Sequence, residues 1–473
     1  MSGSSLASLN RRALLAGLGT SAVAALSGCS RSESSTPSVS FLTDYANEAW
    51  QTVWNEKLIP TFGDVTGTEV ETIFFARSDQ RYDTLLKSGS VPDVLTSSPS
   101  GTVDHRVDGA LDPVTEIVEA AGERNGDLLA TPYTDGTDYW QVPHGYQAAT
   151  FQYRADVYET LGLDVPTSFR EVVANARAID GSDLDVRGYG LPAGRTASAR
   201  DEFQTYLAQM GAPPTGLRWR DPDGRNELEV DFQEEEVTPL LEFFTELARY
   251  SPDPTETGLL LPAWFGEESA TVAQGRSVNN WTAGAAARGS RDDDRTRARR
   301  FARLADSTNV APLPYWESGG ASKGDSWLYQ PAPDGHYLST GGSNTAGGRE
   351  WLEWLYADNA GRTAGLYRPT PTEYLPAYSD VVSEPGFRNA ELFAEWPRLL
   401  DQVEFIQETV VGEHYGAVPE AELDDPVALS VGSERFYGEM IRRAVTDSSP
   451  REAYEWGRNR LEHRLDEARQ RFR

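Results

Sequence analysis

The stretch from Val39 to Phe75, VSFLTDYANEAWQTVWNEKLIPTFGDVTGTEVETIFF, decides the fold. It opens with a short apolar run, continues with apolar residues at helical spacing from Trp50 to Phe62, and after Gly67 returns to an extended apolar run. A second helical pattern and the strand-like run from Val91 to Leu95 follow. Strand, helix, strand, helix and strand at this spacing predict parallel βαβ units.

The rest of the chain continues the same α/β pattern. A strand is predicted from Ala148 to Tyr153, and Ser168 is predicted to cap a helix in which Glu171 completes a capping box. Helical periodicity also marks Val237 to Ala248 and the segment from Pro450 onward. Four tryptophans lie on helical periods and are predicted to be core residues: Trp50, Trp54, Trp351 and Trp354.

Charge sets the class of partner. The 473 residues include 73 acidic and 43 basic ones, a formal net charge of −30. Such a chain is not expected to bind nucleic acid, because phosphate contacts need a basic face. The lysines are Lys57, Lys87 and Lys323, and all the other basic residues are arginine. An acidic, lysine-poor surface suggests a halophilic protein, since molar salt screens self-repulsion over about 3 Å.

The N-terminus resembles an export signal. Residues 1–28 contain no acidic residue, Arg11-Arg12 resembles a twin-arginine motif, and a short apolar stretch follows. Leu26 to Cys29 resembles a lipobox, in which the cysteine is lipidated; Cys29 is the single cysteine, so no disulfide is expected. We expect residues 1–28 to be a signal peptide and 29–38 a lipidated tether. The alternative is a frayed helix with a chance arginine pair.

Motifs for catalysis are weak. Gly320 to Gly324 matches G-x-S-x-G, but it lacks the preceding strand and following helix of a nucleophile elbow. The five histidines show no i, i+4 pairing, so no metal site is predicted, and no cofactor is expected. A glycosidase needs only two carboxylates about 5–10 Å apart. With 73 acidic residues, the sequence leaves that possibility open.

Short motifs recur along most of residues 39–460 in a definite order. They are Trp54–Gly67, Ser88–Val94, Gly109–Pro113, Val142–Pro143, Phe151–Asp156, Leu161–Phe169, Val272–Arg276, Ala311–Pro314 and Tyr367–Thr370. No single motif is specific, but the order and spacing are. This order resembles the family 1 extracellular solute-binding proteins, the maltose-binding-protein-like lipoproteins of sugar ABC transporters.

The resemblance implies a two-lobed, periplasmic-binding-protein-like α/β fold. Each lobe would be a mainly parallel sheet flanked by helices, with hinge crossovers between the lobes. Lobe 1 would hold residues 39–146 and 281–330, and lobe 2 would hold 147–280 and 331–473. The ligand would be gripped between them.

Two groups of residues are candidates for the ligand site. Ligands of open α/β sheets meet the loops at the carboxyl ends of strands, and the resemblance places sugar contacts there too. These positions are Asp44, Tyr45, Ser97, Ser98, Tyr146 and Gln147. The second group are tryptophans at segment ends, where an indole can stack on a sugar ring: Trp264, Trp281, Trp316 and Trp327. The alternative for each is simple solvation or a cover over the core.

The expected function is that of a monomeric substrate-binding lipoprotein, not an enzyme. It would capture a sugar outside the cell and deliver it to the permease subunits of an ABC importer. Its Cys29 lipid would be the only link to the outer face of the cytoplasmic membrane. Two alternatives stay open: an exported glycoside hydrolase, and a binder of another solute such as a polyamine or ferric ion.

Overall fold

The computed structural model describes residues 37–45, 48–75, 78–129, 132–146, 149–221, 227–252, 273–277, 295–317, 334–369, 371, 374–411 and 425–472. The chain divides into two compact units, residues 1–37 and 38–473. The second unit contains the elements described below. In the part of the chain that the structure describes, none of the helices is both long and apolar enough to cross a membrane.

The described strands are short. They are β1 Ser38–Thr43, β2 Glu69–Phe74, β3 Val94–Ser97, β4 Leu111–Asp112, β5 Val142–Tyr146, β6 Ala149–Arg154, β7 Leu217–Trp219, β8 Leu228–Val230, β9 Ala273–Ser277, β10 Thr308–Ala311, β11 Asp334–Ser339 and β12 Leu375–Pro376.

Helices connect and cover these strands. They are α1 Glu48–Val53, α2 Ile59–Thr66, α3 Ser78–Ser88, α4 Pro99–Val107, α5 Thr115–Asn125, α6 Ala155–Leu161, α7 Phe169–Asp180, α8 Ala197–Gln209, α9 Glu234–Ala248, α10 Arg295–Ser307, α11 Thr345–Tyr356, α12 Ala360–Leu366, α13 Pro385–Arg388, α14 Glu391–Glu395, α15 Pro397–Phe405, α16 Pro426–Gly432, α17 Phe436–Thr446 and α18 Pro450–Arg471. Trp54–Leu58 and Ile406–Val411 are π-helical, and Ser379–Ser383 is a 3₁₀ turn.

Local signals explain where several elements begin and end. Gly67 ends α2 in the left-handed conformation, with φ of 74°, a backbone geometry that glycine adopts without a steric penalty. Ser168 caps α7, as predicted, by accepting a hydrogen bond from the Glu171 amide. The Glu171 carboxylate accepts a hydrogen bond from the backbone N–H of Thr167, and its interaction with the Ser168 backbone N–H also lowers the pKa of Glu171.

The first sheet contains the predicted parallel βαβ units. Its strand order is β12-β5-β11-β3-β1-β2, and β4 pairs with β11 beside this path. Strand β1 lies parallel to both β2 and β3. Strand β11 runs antiparallel between β3 and β5. Hence β1, β2, β3 and β5 all point the same way, and their carboxyl ends share one edge of the sheet.

A large aromatic core fills one face of this sheet. The four tryptophans predicted to be core residues are buried there: Trp50, Trp54, Trp351 and Trp354. Trp54 packs edge-on against Phe41 of β1, with ring centroids 5.3 Å apart, and lies 5.8 Å from Trp351 of α11. The helical spacing of these residues therefore identified the core face correctly.

A second sheet, in the order β10-β6-β9, belongs to a second core. That core is formed by side chains of β6, α7, α8, α9, α17 and α18. Strand β6 pairs antiparallel with β10 and with β9. Two sheets with separate cores give the two-lobed α/β architecture that the sequence predicts.

The packing differs from the expected lobe boundaries in two respects. Residues 281–330 were assigned to lobe 1, whereas β10 pairs with β6 in the second sheet. The sequence analysis assigned residues 331–473 to lobe 2, whereas β11 and β12 lie in the first sheet. Buried hydrophobic side chains from Leu338 to Ile406 belong to the first core, and those from Val431 to Ala468 belong to the second. Strand β11 is inserted between two strands that come much earlier in the chain, and local sequence patterns do not encode such a long-range pairing.

Candidate functional site

Six strands of the first sheet end or begin along one side of it, and we call this row of strand ends the ligand edge. Carboxyl ends of β1, β2, β3 and β5 meet there with the amino ends of the antiparallel β11 and β12. In sheet order, the residues at this edge are Tyr374, Tyr146, Asp334, Ser97, Asp44 and Phe75. The ligand edge therefore contains strand-end residues that the sequence analysis selected, together with residues that it did not.

Tyr45 follows Asp44 in the chain and is buried at this edge. Its ring is 4% exposed, stacks on Trp50 with centroids 5.1 Å apart, and lies 4.8 Å from the His144 ring. Burial raises the pKa of Tyr45 well above its ordinary value, and the neighbouring Tyr374, Asp334 and Asp44 raise it further. The phenol is therefore neutral at pH 7 and can donate a hydrogen bond.

The next strand end holds the predicted serines. Ser97 is buried in β3 and lies opposite Gly335. Ser98 stands at the N-cap of α4, and its Oγ lies 3.2 Å from the Ser100 Oγ. The structure thus places both serines at the ligand edge, one of them in the sheet and the other at the start of a helix.

Tyr146 ends β5 where the chain leaves the first sheet. It is 1% exposed and lies opposite Leu375 of β12. Only residues 147 and 148 separate it from Ala149, the first residue of β6 in the second sheet. The ligand edge therefore adjoins the crossover from the first sheet to the second. Gln147, itself a candidate, lies outside the described residues.

Asp334 and Tyr374 are edge residues that sequence reasoning missed. Asp334 pairs opposite Gly145 at the start of β11, next to Gly335. At Gly335 a Cβ atom would lie 2.4 Å from the Val142 carbonyl oxygen, so glycine permits this close strand approach. The Tyr374 ring centroid lies 5.6 Å from that of Tyr45. The short run His336-Tyr337-Leu338 could have indicated a strand at β11, but Tyr374 carried no signal.

Of the four tryptophan candidates, the structure describes Trp316, which does not lie at this edge. Trp316 packs beside the first residue of α7, Phe169. The two rings meet edge-on with centroids 5.1 Å apart, at the margin of the second core. Three others lie outside the described residues: Trp264, Trp281 and Trp327. The lipobox residue Cys29 also lies outside them.

Beneath the ligand edge, a buried hydrogen-bond chain joins three strands to α11. The Tyr356 Oη lies 2.7 Å from both His144 Nδ1 and His336 Nε2, and His336 Nδ1 lies 2.9 Å from the Thr96 Oγ1. Tyr367 additionally donates to the His144 carbonyl oxygen. Thr96, His144 and His336 each lie one or two residues from a residue of the ligand edge. These hydrogen bonds therefore fix the positions of β3, β5 and β11 relative to one another along the strand direction.

Both histidines of that chain are neutral. Burial lowers the pKa of His336 to about 3. Burial also lowers the pKa of His144 well below its ordinary value, and proximity to His336 lowers it further. Since the Tyr356 hydroxyl has one proton, it can donate to only one imidazole and must accept from the other.

The ligand edge offers acceptors and aromatic faces. Asp44 and Asp334 supply carboxylate oxygens, while Tyr45 and Tyr374 supply phenol groups and rings. Within the described ranges, no group of three or more His, Cys, Asp or Glu side chains is arranged to hold a metal ion. Chemically, the edge can hold a hydroxyl-rich molecule by hydrogen bonds and ring contacts.

Solved structures with this fold come from several organisms. A ribitol complex of a solute-binding protein from Agrobacterium radiobacter K84 has a TM-score of 0.64 at 14% identity, covering 90% of this chain and 98% of that one. A laminaribiose-bound sugar transporter from Arthrobacter chlorophenolicus A6 has 0.64 at 14%, covering 90% and 99%. Maltose-bound MalE3 of T. maritima has 0.64 at 18%, also covering 90% and 99%.

The sequence itself identifies the family. No curated protein sequence matches the chain. The family description "Bacterial extracellular solute-binding protein" matches residues 43–361, more than half of the chain. This match begins at the last residue of β1 and includes β2, β3, β5 and β11. The chain belongs to the family of bacterial extracellular solute-binding proteins.

Proposed function

We propose that this protein captures a sugar at the ligand edge and delivers it to the permease of an ABC importer, without chemical change to the sugar. The observation that supports this most is the pairing of carboxylates with aromatic rings at one sheet edge. Carboxylates accept hydrogen bonds from sugar hydroxyls, while rings cover the apolar C–H face of a sugar. Proteins of the same fold hold ribitol, laminaribiose and maltose.

Two lobes would close on the ligand from opposite sides. We propose boundaries that follow the two sheets: residues 38–146 with 334–411 in lobe 1, and 149–317 with 425–472 in lobe 2. Since the ligand edge adjoins the crossover at residues 147 and 148, a molecule bound there would lie between the two cores. The permease would then recognise the closed form, whose population the ligand increases.

An organic cation is the second candidate, and one observation favours it. Besides burial, the groups that shift the pKa of Tyr45 are phenols and the carboxylates of Asp44 and Asp334, and all of them raise it, whereas a neighbouring cation would lower it. A polyamine would be attracted to such an edge at low ionic strength. Molar salt screens that attraction far more than it weakens ring contacts. Spermidine titrated at two salt concentrations therefore separates the two ligands.

Replacing Asp44 by Asn tests the sugar site. We expect affinity for the bound sugar to fall by about 10- to 100-fold, because a hydrogen bond to a charged group contributes about 1.5–3 kcal/mol. Isothermal titration calorimetry in molar salt gives the dissociation constant. Asp64→Asn, an exposed position on α2, is the matched control for the loss of one charge. Equal affinities for the parent and Asp44→Asn would place the ligand elsewhere.

Export and anchoring complete the proposal. The twin-arginine motif would direct a folded precursor across the membrane, and a lipid on Cys29 would retain it on the outer face as a monomer. Replacing Cys29 by Ser should release soluble protein into the medium, because it removes the only proposed lipid attachment. Fractionation followed by immunoblotting measures this, with the parent as control. Retention of the Ser variant in the membrane fraction would refute the lipoprotein assignment.

A further inference from the structure

A buried tyrosine on α11 links two of the strands that reach the ligand edge. Tyr356 is the last residue of α11 and is fully buried. Its hydroxyl oxygen lies 2.7 Å from a ring nitrogen of His144 in β5 and 2.7 Å from one of His336 in β11. Since Tyr356 is not an edge residue, the two histidines are the route by which it can influence a bound ligand.

His144 carries this influence to two tyrosines of the edge. Its ring centroid lies 4.8 Å from that of Tyr45 and 5.9 Å from that of Tyr374. Among the described residues, Tyr356 is the only hydrogen-bond partner of the His144 ring, because His144 Nε2 has none. The Tyr356 hydroxyl therefore sets the rotation of this ring, and the ring in turn supports the two edge tyrosines.

A single proton couples the two histidines to each other. The Tyr356 hydroxyl meets Nδ1 of His144 but Nε2 of His336. If it donates to His144 and accepts from His336, both rings carry their proton on Nε2. If it donates to His336 and accepts from His144, both rings carry their proton on Nδ1. Any other arrangement leaves a buried donor or acceptor without its partner, which is costly.

We propose that Tyr356 is a positioning residue for ligand binding. Its hydroxyl holds the His144 ring against the edge tyrosines and gives both histidines the same tautomer. The coupling extends to β3, because His336 Nδ1 lies 2.9 Å from the Thr96 Oγ1. This inference rests on the proposed sugar-binding function, which it deepens by a residue that acts on the ligand only through its neighbours.

The tautomers of the two histidines provide a spectroscopic test on the ligand-free parent. Heteronuclear NMR of isotope-labelled histidine rings in molar salt shows which nitrogen carries the proton, and His144→Gln and His336→Gln assign the signals. We expect the proton on the same nitrogen in both rings. Opposite tautomers would overturn the coupling. Because this test needs no change at Tyr356, it holds even if a Tyr356 variant fails to fold.

Affinity provides the second test. Tyr356→Phe keeps the ring and removes the hydroxyl, so it should lower the affinity for the sugar that the parent binds best by about tenfold. Calorimetry in molar salt with maltose, laminaribiose and ribitol measures this for parent and variant.

Tyr82→Phe is the matched control. Tyr82 is also fully buried, and its hydroxyl lies 3.3 Å from the Ala110 carbonyl oxygen and 3.1 Å from the Ser339 Oγ. Ser339 ends β11 at the side of the sheet away from the ligand edge. The control variant therefore loses comparable hydrogen bonds and stability, and it should bind sugar as the parent does.

Each outcome decides part of the inference. Equal losses of affinity in Tyr356→Phe and Tyr82→Phe would reduce the effect to general stability and overturn the positioning role. Unchanged affinity in Tyr356→Phe would overturn that role as well. If the parent binds none of the sugars, the proposed function fails and the positioning role fails with it. The spectra of the ligand-free protein still decide the shared tautomer in that case, so the two failures are distinguishable.

Discussion

Trp54→Ala should destabilise the protein by about 3–5 kcal/mol, the cost of truncating a large core side chain. Trp54 is fully buried, and its ring packs against Phe41 and Trp351. Truncation would leave a cavity between β1 and α11 that rigid aromatic neighbours cannot fill. Urea denaturation in molar salt, followed by tryptophan fluorescence and circular dichroism, measures the change in the free energy of unfolding.

Two further variants make this measurement specific. Trp54→Phe keeps most of the ring and should cost less than Trp54→Ala, since the indole Nε1 has no hydrogen-bond partner to lose. Val65→Ala removes an exposed side chain and should change stability by less than about 0.5 kcal/mol. If Trp54→Ala were as stable as Val65→Ala, the packing of the segment from α1 to α2 on the first sheet would be wrong.

Acid should destabilise the protein through the buried histidines. His336 has a folded-state pKa of about 3, while an unfolded histidine titrates near 6.5. Above pH 6.5, His336 is neutral in both states and has no effect. As the pH falls below 6.5, the unfolded state takes up the proton first, so stability drops by about 1.4 kcal/mol per pH unit. Between pH 6.5 and 5, His336 alone should cost about 2 kcal/mol.

The slope of stability against pH isolates this effect from the many carboxylates. His336→Gln should reduce the slope between pH 6.5 and 5 by about 1.4 kcal/mol per unit, whatever its effect at neutral pH. His463→Gln, at an exposed position on α18, controls for the loss of a histidine as such. Urea denaturation at several pH values provides the slopes. An identical slope in the parent and in His336→Gln would show that His336 is not buried as a neutral imidazole.

Much of the first sheet was predictable because its signals are local. Apolar periodicity indicated β1, α2, β2, α3 and β3. Gly67 ends α2 and Gly89 ends α3, and both adopt the left-handed conformation, with φ of 74° and 72°. The same periodicity identified four core tryptophans, Trp50, Trp54, Trp351 and Trp354. Asp44, Tyr45, Ser97 and Tyr146 could be selected because they directly follow or end recognisable strands, and the carboxyl ends of parallel strands meet.

The remaining parts of the site depend on contacts between distant residues. His336 bonds to Thr96 across 240 positions, and no local pattern around Asp334 records that β11 lies between β3 and β5. Tyr374 reaches the edge from a loop before a two-residue strand. Expected lobe boundaries differed from the packing for the same reason. Phe75 was part of the quoted stretch, but its exposure and its position next to Asp44 follow only from register.

Direct titration of the parent protein with a panel of solutes tests the central claim, that a sugar binds reversibly and unchanged. Calorimetry at molar salt would use maltose, maltotriose, laminaribiose, ribitol, spermidine and ferric ion, and chromatography would then analyse each recovered sugar. We predict one-to-one binding of at least one sugar, which is recovered intact. Tight binding of spermidine or ferric ion without any sugar, or shortened sugar in the recovered sample, would contradict the account.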